Sequence, residues 1–107
     1  NIPAAVIGIE ECDKALKILV DAVKKKSGLL VISAYHGNAE VMLNPDGSPE
    51  TQHTANLVPF IIVDDDPQYK NLKLKSGGAI KDITPTILEI LGIEKPKVMK
   101  GESLIEN

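Results

Sequence analysis

Apolar residues recur at helical spacing along the first segment of the chain. Ala5, Ile9, Cys12, Leu16, Leu19 and Val23 lie 4, 3, 4, 3 and 4 positions apart, which makes one continuous helical face. Ala15, Ile18 and Ala22 widen it, and Glu10, Glu11, Asp13, Lys14, Lys17, Asp21 and Lys24 take the other side. Asn1 reads as the N-cap, with Pro3 in the first turn, where proline is tolerated. Lys24, Lys25 and Lys26 sit where the helix dipole favours cations. Gly28 is expected to stop the helix in a left-handed conformation. Cys12, on the apolar face, reads as inert core.

Leu29 to Ala34 is a short, unbroken apolar run. A strand that is apolar on both faces suits a covered, parallel sheet. Residues 44–58 carry Asn44, Pro45, Asp46, Gly47, Ser48 and Pro49, the chemistry of a long loop. Phe60 to Val63 reads as a second strand, ended by Asp64, Asp65, Asp66 and Pro67. Leu72 to Lys75 alternates apolar and basic residues, as a strand nearer an edge does. Asp82 or Thr84 caps a second helix with Pro85 in its first turn. Ile83, Ile87, Ile90 and Leu91 form its stripe, and Gly92 ends it. The tail from Pro96 is expected to pack back through Val98, Met99, Leu104 and Ile105. Helix, tight turn and apolar strand together point to the α/β class and a doubly wound unit.

Composition narrows the functional classes. The chain has 107 residues, 43% hydrophobic and 25% charged, so one soluble domain over 1–107 is expected. A net charge of −3 gives no electrostatic footprint for nucleic acid. The apolar runs are far shorter than the roughly 20 residues a membrane span needs. No leader of the charged, apolar and cleavage-site form is read at the start. Cys12 is the only cysteine, which leaves no intrachain disulfide and points to a cytoplasmic location. Tyr35, Phe60 and Tyr69 are the only aromatics, so the core must be aliphatic, and Tyr69 reads as an ordinary boundary residue.

The informative chemistry follows the first strand. Tyr35-His36-Gly37-Asn38 lies at a strand's carboxyl end, where open α/β sheets bind ligands. His53 lies in the loop before the second strand. Two histidines on two loops at one sheet edge could share a metal pair or a phosphate; each could equally be a hydrogen-bonded loop residue. Asp64, Asp65 and Asp66 could gather a hard cation, but consecutive strand residues alternate faces, which favours a solvated strand end. Gly77-Gly78 reads as a turn rather than a phosphate cradle, and Lys73 and Lys75 read as guards of a sheet edge. A two-metal phosphoryl-transfer site needs several ligands per ion, so most of such machinery would have to lie outside these residues.

Four segments are similar to one family. Ser33-Ala34-Tyr35-His36-Gly37-Asn38-Ala39-Glu40 resembles its Thr-Ala-Asp-His-Gly-Asn-Ala-Glu. Thr51 to Phe60 is similar to its His-Thr-x-Asn-x-Val-Pro-Phe element. Gly77 to Leu88 follows its Gly-Gly-x-Leu-x-Asp-Ile-x-Pro-Thr, and Met99 to Ile105 its closing Met-x-Gly-x-Ser-Leu-Ile. The family is the 2,3-bisphosphoglycerate-independent phosphoglycerate mutases, of the alkaline phosphatase superfamily. Four motifs in order, at family-like spacing, are specific where any one would be weak.

The resemblance implies part of an alkaline-phosphatase-like doubly wound α/β/α sandwich, with an incomplete sheet and flanking helices. It implies the C-terminal part of a phosphatase-like domain in a much longer enzyme. That enzyme interconverts 3-phosphoglycerate and 2-phosphoglycerate in glycolysis, through a phosphoserine intermediate and two Mn²⁺ ions. His36 takes the place of one metal ligand and His53 that of a ligand on the other ion. Tyr35 departs from the pattern, standing where the family has an aspartate ligand. A phenol titrates near about pH 10, so it is uncharged at neutral pH and a poor ligand for Mn²⁺. The nucleophilic serine and the remaining ligands are expected upstream, and these residues by themselves are expected to be inactive. Exposed sheet edges lead us to expect a homodimer. A non-catalytic module with a degenerate metal site, or another phosphomutase of the superfamily, are the rival readings.

Overall fold

Asn1 opens the chain as a true helix cap, its Oδ1 accepting from the Ala4 amide at 3.2 Å. The computed structural model describes all residues from Asn1 to Asn107 and falls into two compact units, Asn1–Asp66 and Pro67–Asn107. The first unit begins with helix α1, Ile2–Lys25. The helix stops one residue earlier than glycine placement suggests. Ser27, at φ 52°, takes the left-handed position expected of Gly28. Its amide donates to Lys24 O at 2.9 Å, and the Gly28 amide to Val23 O at 3.0 Å, which is a Schellman closure. Gly28 serves by close approach instead: a Cβ there would crowd Val23.

No residue of α1 is fully buried. Ile9, Ile18 and Leu19 are exposed, and so is Cys12, which overturns its reading as core. The stripe is helical as expected but only partly covered: Ala5, Leu16 and Val23 are half-buried, and the rest lies open. The polar side carries the ion pairs Lys14–Glu11 and Lys17–Asp21, both at 2.6 Å.

Strands β1, Leu30–Ser33, and β2, Phe60–Val63, pair antiparallel, with Leu30 opposite Val63 and Ser33 opposite Phe60. The expected parallel arrangement does not hold for this pair. The segment between them leaves and returns at the same end, so it needs no crossover. Six of the eight strand residues are half-buried and none is fully enclosed. Lys24 Nζ meets Asp65 Oδ1 at 3.0 Å, tying the end of α1 to the turn after β2.

The second unit starts with a single turn, α2, Pro67–Lys70. Leu72 to Lys75 is not a full strand. Its pairing is one bridge, Leu74 with Ile105, framed by Lys75 N to Leu104 O at 2.7 Å and Glu106 N to Lys73 O at 2.9 Å. A turn of 3₁₀ helix, Ile80–Asp82, runs into α3, Ile83–Ile90. Gly92, at φ 67°, ends α3, with Gly92 N on Glu89 O and Ile93 N on Leu88 O, a second Schellman closure.

The core of this unit lies where α3 meets the tail. Thr86 is 0% exposed, and Leu104, Ile105 and Asp82 are buried beside Pro85 and Gly101. The expected stripe is displaced: Ile83, Ile87 and Ile90 are half-buried and Leu91 is exposed. In the tail, Leu104 and Ile105 pack as expected and Met99 is half-buried, but Val98 stands in solvent. Thr86 Oγ1 donates to Asp82 O at 2.6 Å and accepts from Leu104 N at 2.9 Å. Asp82 accepts from Ala79 N at 2.8 Å and Glu102 N at 2.9 Å, and those two amides hold its carboxyl below the usual range. Lys95 Nζ closes the tail loop on Met99 O and Gly101 O, at 3.0 and 2.8 Å.

Candidate metal centre

The loops after β1 and before β2 are sewn together step by step. Ser33 Oγ donates to Pro59 O at 2.9 Å at their base. Next, Gly37 and Thr54 form an antiparallel bridge, with Thr54 N on Gly37 O at 2.9 Å and Gly37 N on Thr54 O at 3.2 Å. Further out, Leu43 pairs with Pro49 around a turn in which Asp46 accepts from the amide and hydroxyl of Ser48. Those two bonds lower the Asp46 carboxyl.

The Gly37–Thr54 bridge places a histidine one residue before each partner. Their rings meet: His36 and His53 stack with centroids 3.5 Å apart and planes 14° from parallel. Tyr35 sets its edge against His36 at 4.1 Å while remaining 76% exposed. The two histidines that the sequence puts on separate loops are thus brought face to face.

One carboxylate organises this cluster. Glu40 Oε2 accepts from Asn38 N at 2.7 Å. Its Oε1 accepts from the Thr54 hydroxyl and from Asn56 Nδ2 at 3.2 Å. The Thr54 hydroxyl, followed by backbone amides, holds the Glu40 carboxyl at about 2. Gly37 is buried beneath it, and a Cβ at Gly37 would overlap both the carboxylate and the Thr54 hydroxyl. Sequence reasoning passed over Glu40, Thr54 and Asn56. Their only signal was membership of two motif segments.

His36 fits a metal ligand in its own hydrogen bonding. Its Nδ1 lies 2.9 Å from Gly37 O. A carbonyl only accepts, so Nδ1 carries a proton, and in the neutral ring Nε2 then keeps its lone pair. That Nε2 is buried and has no partner. An imidazole anchored by a backbone carbonyl through its other nitrogen is the usual form of a metal ligand. The stack limits what the pair can hold. In-plane lone pairs of nearly parallel rings do not converge on one ion, so each ring would address its own. No group of three or more His, Cys, Asp or Glu side chains is placed so that it could hold a metal ion, so a complete ligand set needs donors from elsewhere.

The weaker candidates do not join. Asp64 Oδ1 accepts from Asp66 N at 2.7 Å and Asp65 pairs with Lys24, which is a capped strand end. Gly78 yields its space to Leu104, and Gly77, at φ 73°, makes a turn. Lys75 Nζ donates to Ser103 O at 3.0 Å. No helix is long and apolar enough to cross a membrane.

Comparison with known proteins bears on the same residues. The chain is 45% identical over 105 residues to the 2,3-bisphosphoglycerate-independent phosphoglycerate mutase of Moorella thermoacetica, which covers 98% of this chain and 20% of that protein. The enzyme of the same name from Nostoc punctiforme is 46% identical over 111 residues, 99% of this chain and 21% of the relative. That from Pyropia yezoensis is 45% identical over 112 residues, 100% and 21%. The chain therefore spans about a fifth of the length of the curated relatives it matches. Residues 1–95 match the model of the family described as the metalloenzyme superfamily. The resemblance read from the four motifs stands, as does the α/β fold class, and the chain belongs to the metalloenzyme superfamily.

Proposed function

We propose that this chain is the C-terminal part of the phosphatase-like domain of a phosphoglycerate mutase, a cytoplasmic isomerase of glycolysis that exchanges 3-phosphoglycerate and 2-phosphoglycerate through a phosphoserine. The observation that carries this reading is the buried, partner-free Nε2 of His36, with its Nδ1–H fixed on Gly37 O. His36 and His53 are the residues of this chain that would face metal, and Mn²⁺ is the ion we assign. A bound divalent ion stabilises charge on a transferring phosphoryl group and activates the nucleophile. The chain's own part is to hold two imidazoles at fixed spacing and to keep water from the His36 nitrogen. It supplies no nucleophile beside a base, so by itself it is inactive.

Tyr35 favours a second reading, a non-catalytic module. Its phenol stands in solvent beside His36 and replaces a carboxylate in the family's pattern. A chimera separates the two: this chain replaces the matching segment of the Moorella thermoacetica enzyme, with and without Tyr35→Asp. The expected result is mutase activity in the Tyr35→Asp chimera and little in the parent. A folded, Mn²⁺-loaded Tyr35→Asp chimera with no turnover overturns the mutase reading. Turnover of 3-phosphoglycerate by the isolated chain overturns its predicted inactivity.

A further inference from the structure

We propose that Glu40 is a positioning residue for the histidine pair: its carboxylate joins the Gly37 turn to Thr54 and Asn56, and through them holds His36 and His53 face to face. The link to chemistry rests on the reading of those histidines as metal-facing; the positioning itself does not.

His36 and His53 are separated by a long loop, and their rings share no hydrogen bond. Their stacking is set by the chain on either side. On one side the Gly37–Thr54 bridge supplies two backbone bonds. A two-bond bridge with glycine as one partner is a weak constraint, because glycine loses the most conformational freedom on ordering. Glu40 adds the rest. One oxygen fixes the turn that follows His36, through Asn38 N; the other fixes the segment that follows His53, through Thr54 Oγ1 and Asn56 Nδ2. Asn56 N in turn donates to Thr54 Oγ1 at 3.3 Å, orienting the hydroxyl toward the carboxylate.

Residue chemistry supports the assignment. Three donors converge on the two oxygens of an ionised carboxylate, which only accepts. An amide cannot substitute fully, since its NH₂ would face a donor. Gly37 has no Cβ, which is what lets the carboxylate and the Thr54 hydroxyl close over it. Glu40 is also the one carboxylate bonded to both histidine-bearing loops, and three of its roughly four acceptor sites are already committed there. It therefore acts through the rings rather than beside them. Groups that orient ligands in this way commonly matter about 10–100-fold to metal affinity.

The test is histidine-ring NMR on the ¹⁵N-labelled chain, with Glu40→Ala, Glu40→Gln and Thr54→Val. In the parent, His36 should show the Nδ1–H tautomer, and both rings should show the upfield displacement of stacked protons. Thr54→Val and Glu40→Ala should lose that displacement, with the amides of β1 and β2 unmoved. Glu40→Gln should keep part of it. Ring signals that stay in place in both Thr54→Val and Glu40→Ala overturn the proposal. Should Glu40→Ala also disturb the strands, Thr54→Val decides, since it exchanges only the hydroxyl for a methyl. Addition of Mn²⁺ alone tests the other reading separately. A parent whose His36 signals are not broadened by Mn²⁺ counts against metal facing and leaves the ring comparison intact.

Discussion

The loop cluster at His36–Asn56 and the helix-and-tail cluster at Asp82–Ile105 are built from the same parts. Each has a carboxylate that accepts backbone amides, Glu40 in one and Asp82 in the other. Each has a threonine hydroxyl in the network, Thr54 and Thr86. Each has a glycine with no room for a Cβ, Gly37 and Gly101. Their surroundings differ. Asp82 and Thr86 are buried, as are Pro85, Leu104 and Ile105 of the same unit, and their bonds are internally complete. The histidine cluster is mostly exposed, yet it holds the single buried side-chain nitrogen without a partner, His36 Nε2. A network with every polar atom satisfied rigidifies a fold. A buried polar atom left without a partner calls for an ion, a water or a catalytic role to account for it.

The sharpest way to break this contrast is Gly101→Ala. A Cβ there would overlap the Lys81 carbonyl, which is backbone and cannot swing aside. We expect a loss at or above the top of the about 1–3 kcal/mol range for overpacking, read by urea denaturation and by faster exchange of the Glu102 and Leu104 amides. Gly37→Ala should cost less, about 1 kcal/mol, because the obstructing atoms are side-chain ends of Glu40 and Thr54. Its signature should be loss of histidine stacking in ring NMR. If the two substitutions cost the same, the division into a rigid network and an open one fails.

The smallest effect is that of pH. Glu40 is held at about 2, against an ordinary value of 4.5. A depressed carboxyl contributes stability that is complete above the unfolded value and is lost as pH falls through the folded one. The loop cluster should therefore loosen between about pH 4.5 and 2. Asp82, also depressed, should loosen the tail in the same direction. Side-chain ¹³C titration of Glu40 with a midpoint near 4.5 would show that the Thr54 and amide bonds are absent in solution.

Local signals were legible where local physics is enough. The spacing of Ile9, Leu16 and Val23 gave α1, and the run Phe60–Val63 gave β2 with its bounds. Asn1 capped as read, and Gly92 ended α3. The reading failed where the outcome depended on a partner. Cys12 lies on an apolar stripe, but burial needs a covering surface. Leu72–Lys75 alternates like a strand, but only Leu74 finds a bridge.

The sequence by itself determined α1 and α3, the two apolar strands, the motif chemistry and the family resemblance, because these follow from residue spacing and type. Tertiary structure alone decided that the strands run antiparallel and that His36 and His53 stack under the hold of Glu40. Each of these depends on groups far apart in the chain meeting at hydrogen-bond distance. Periodicity carries no information about either.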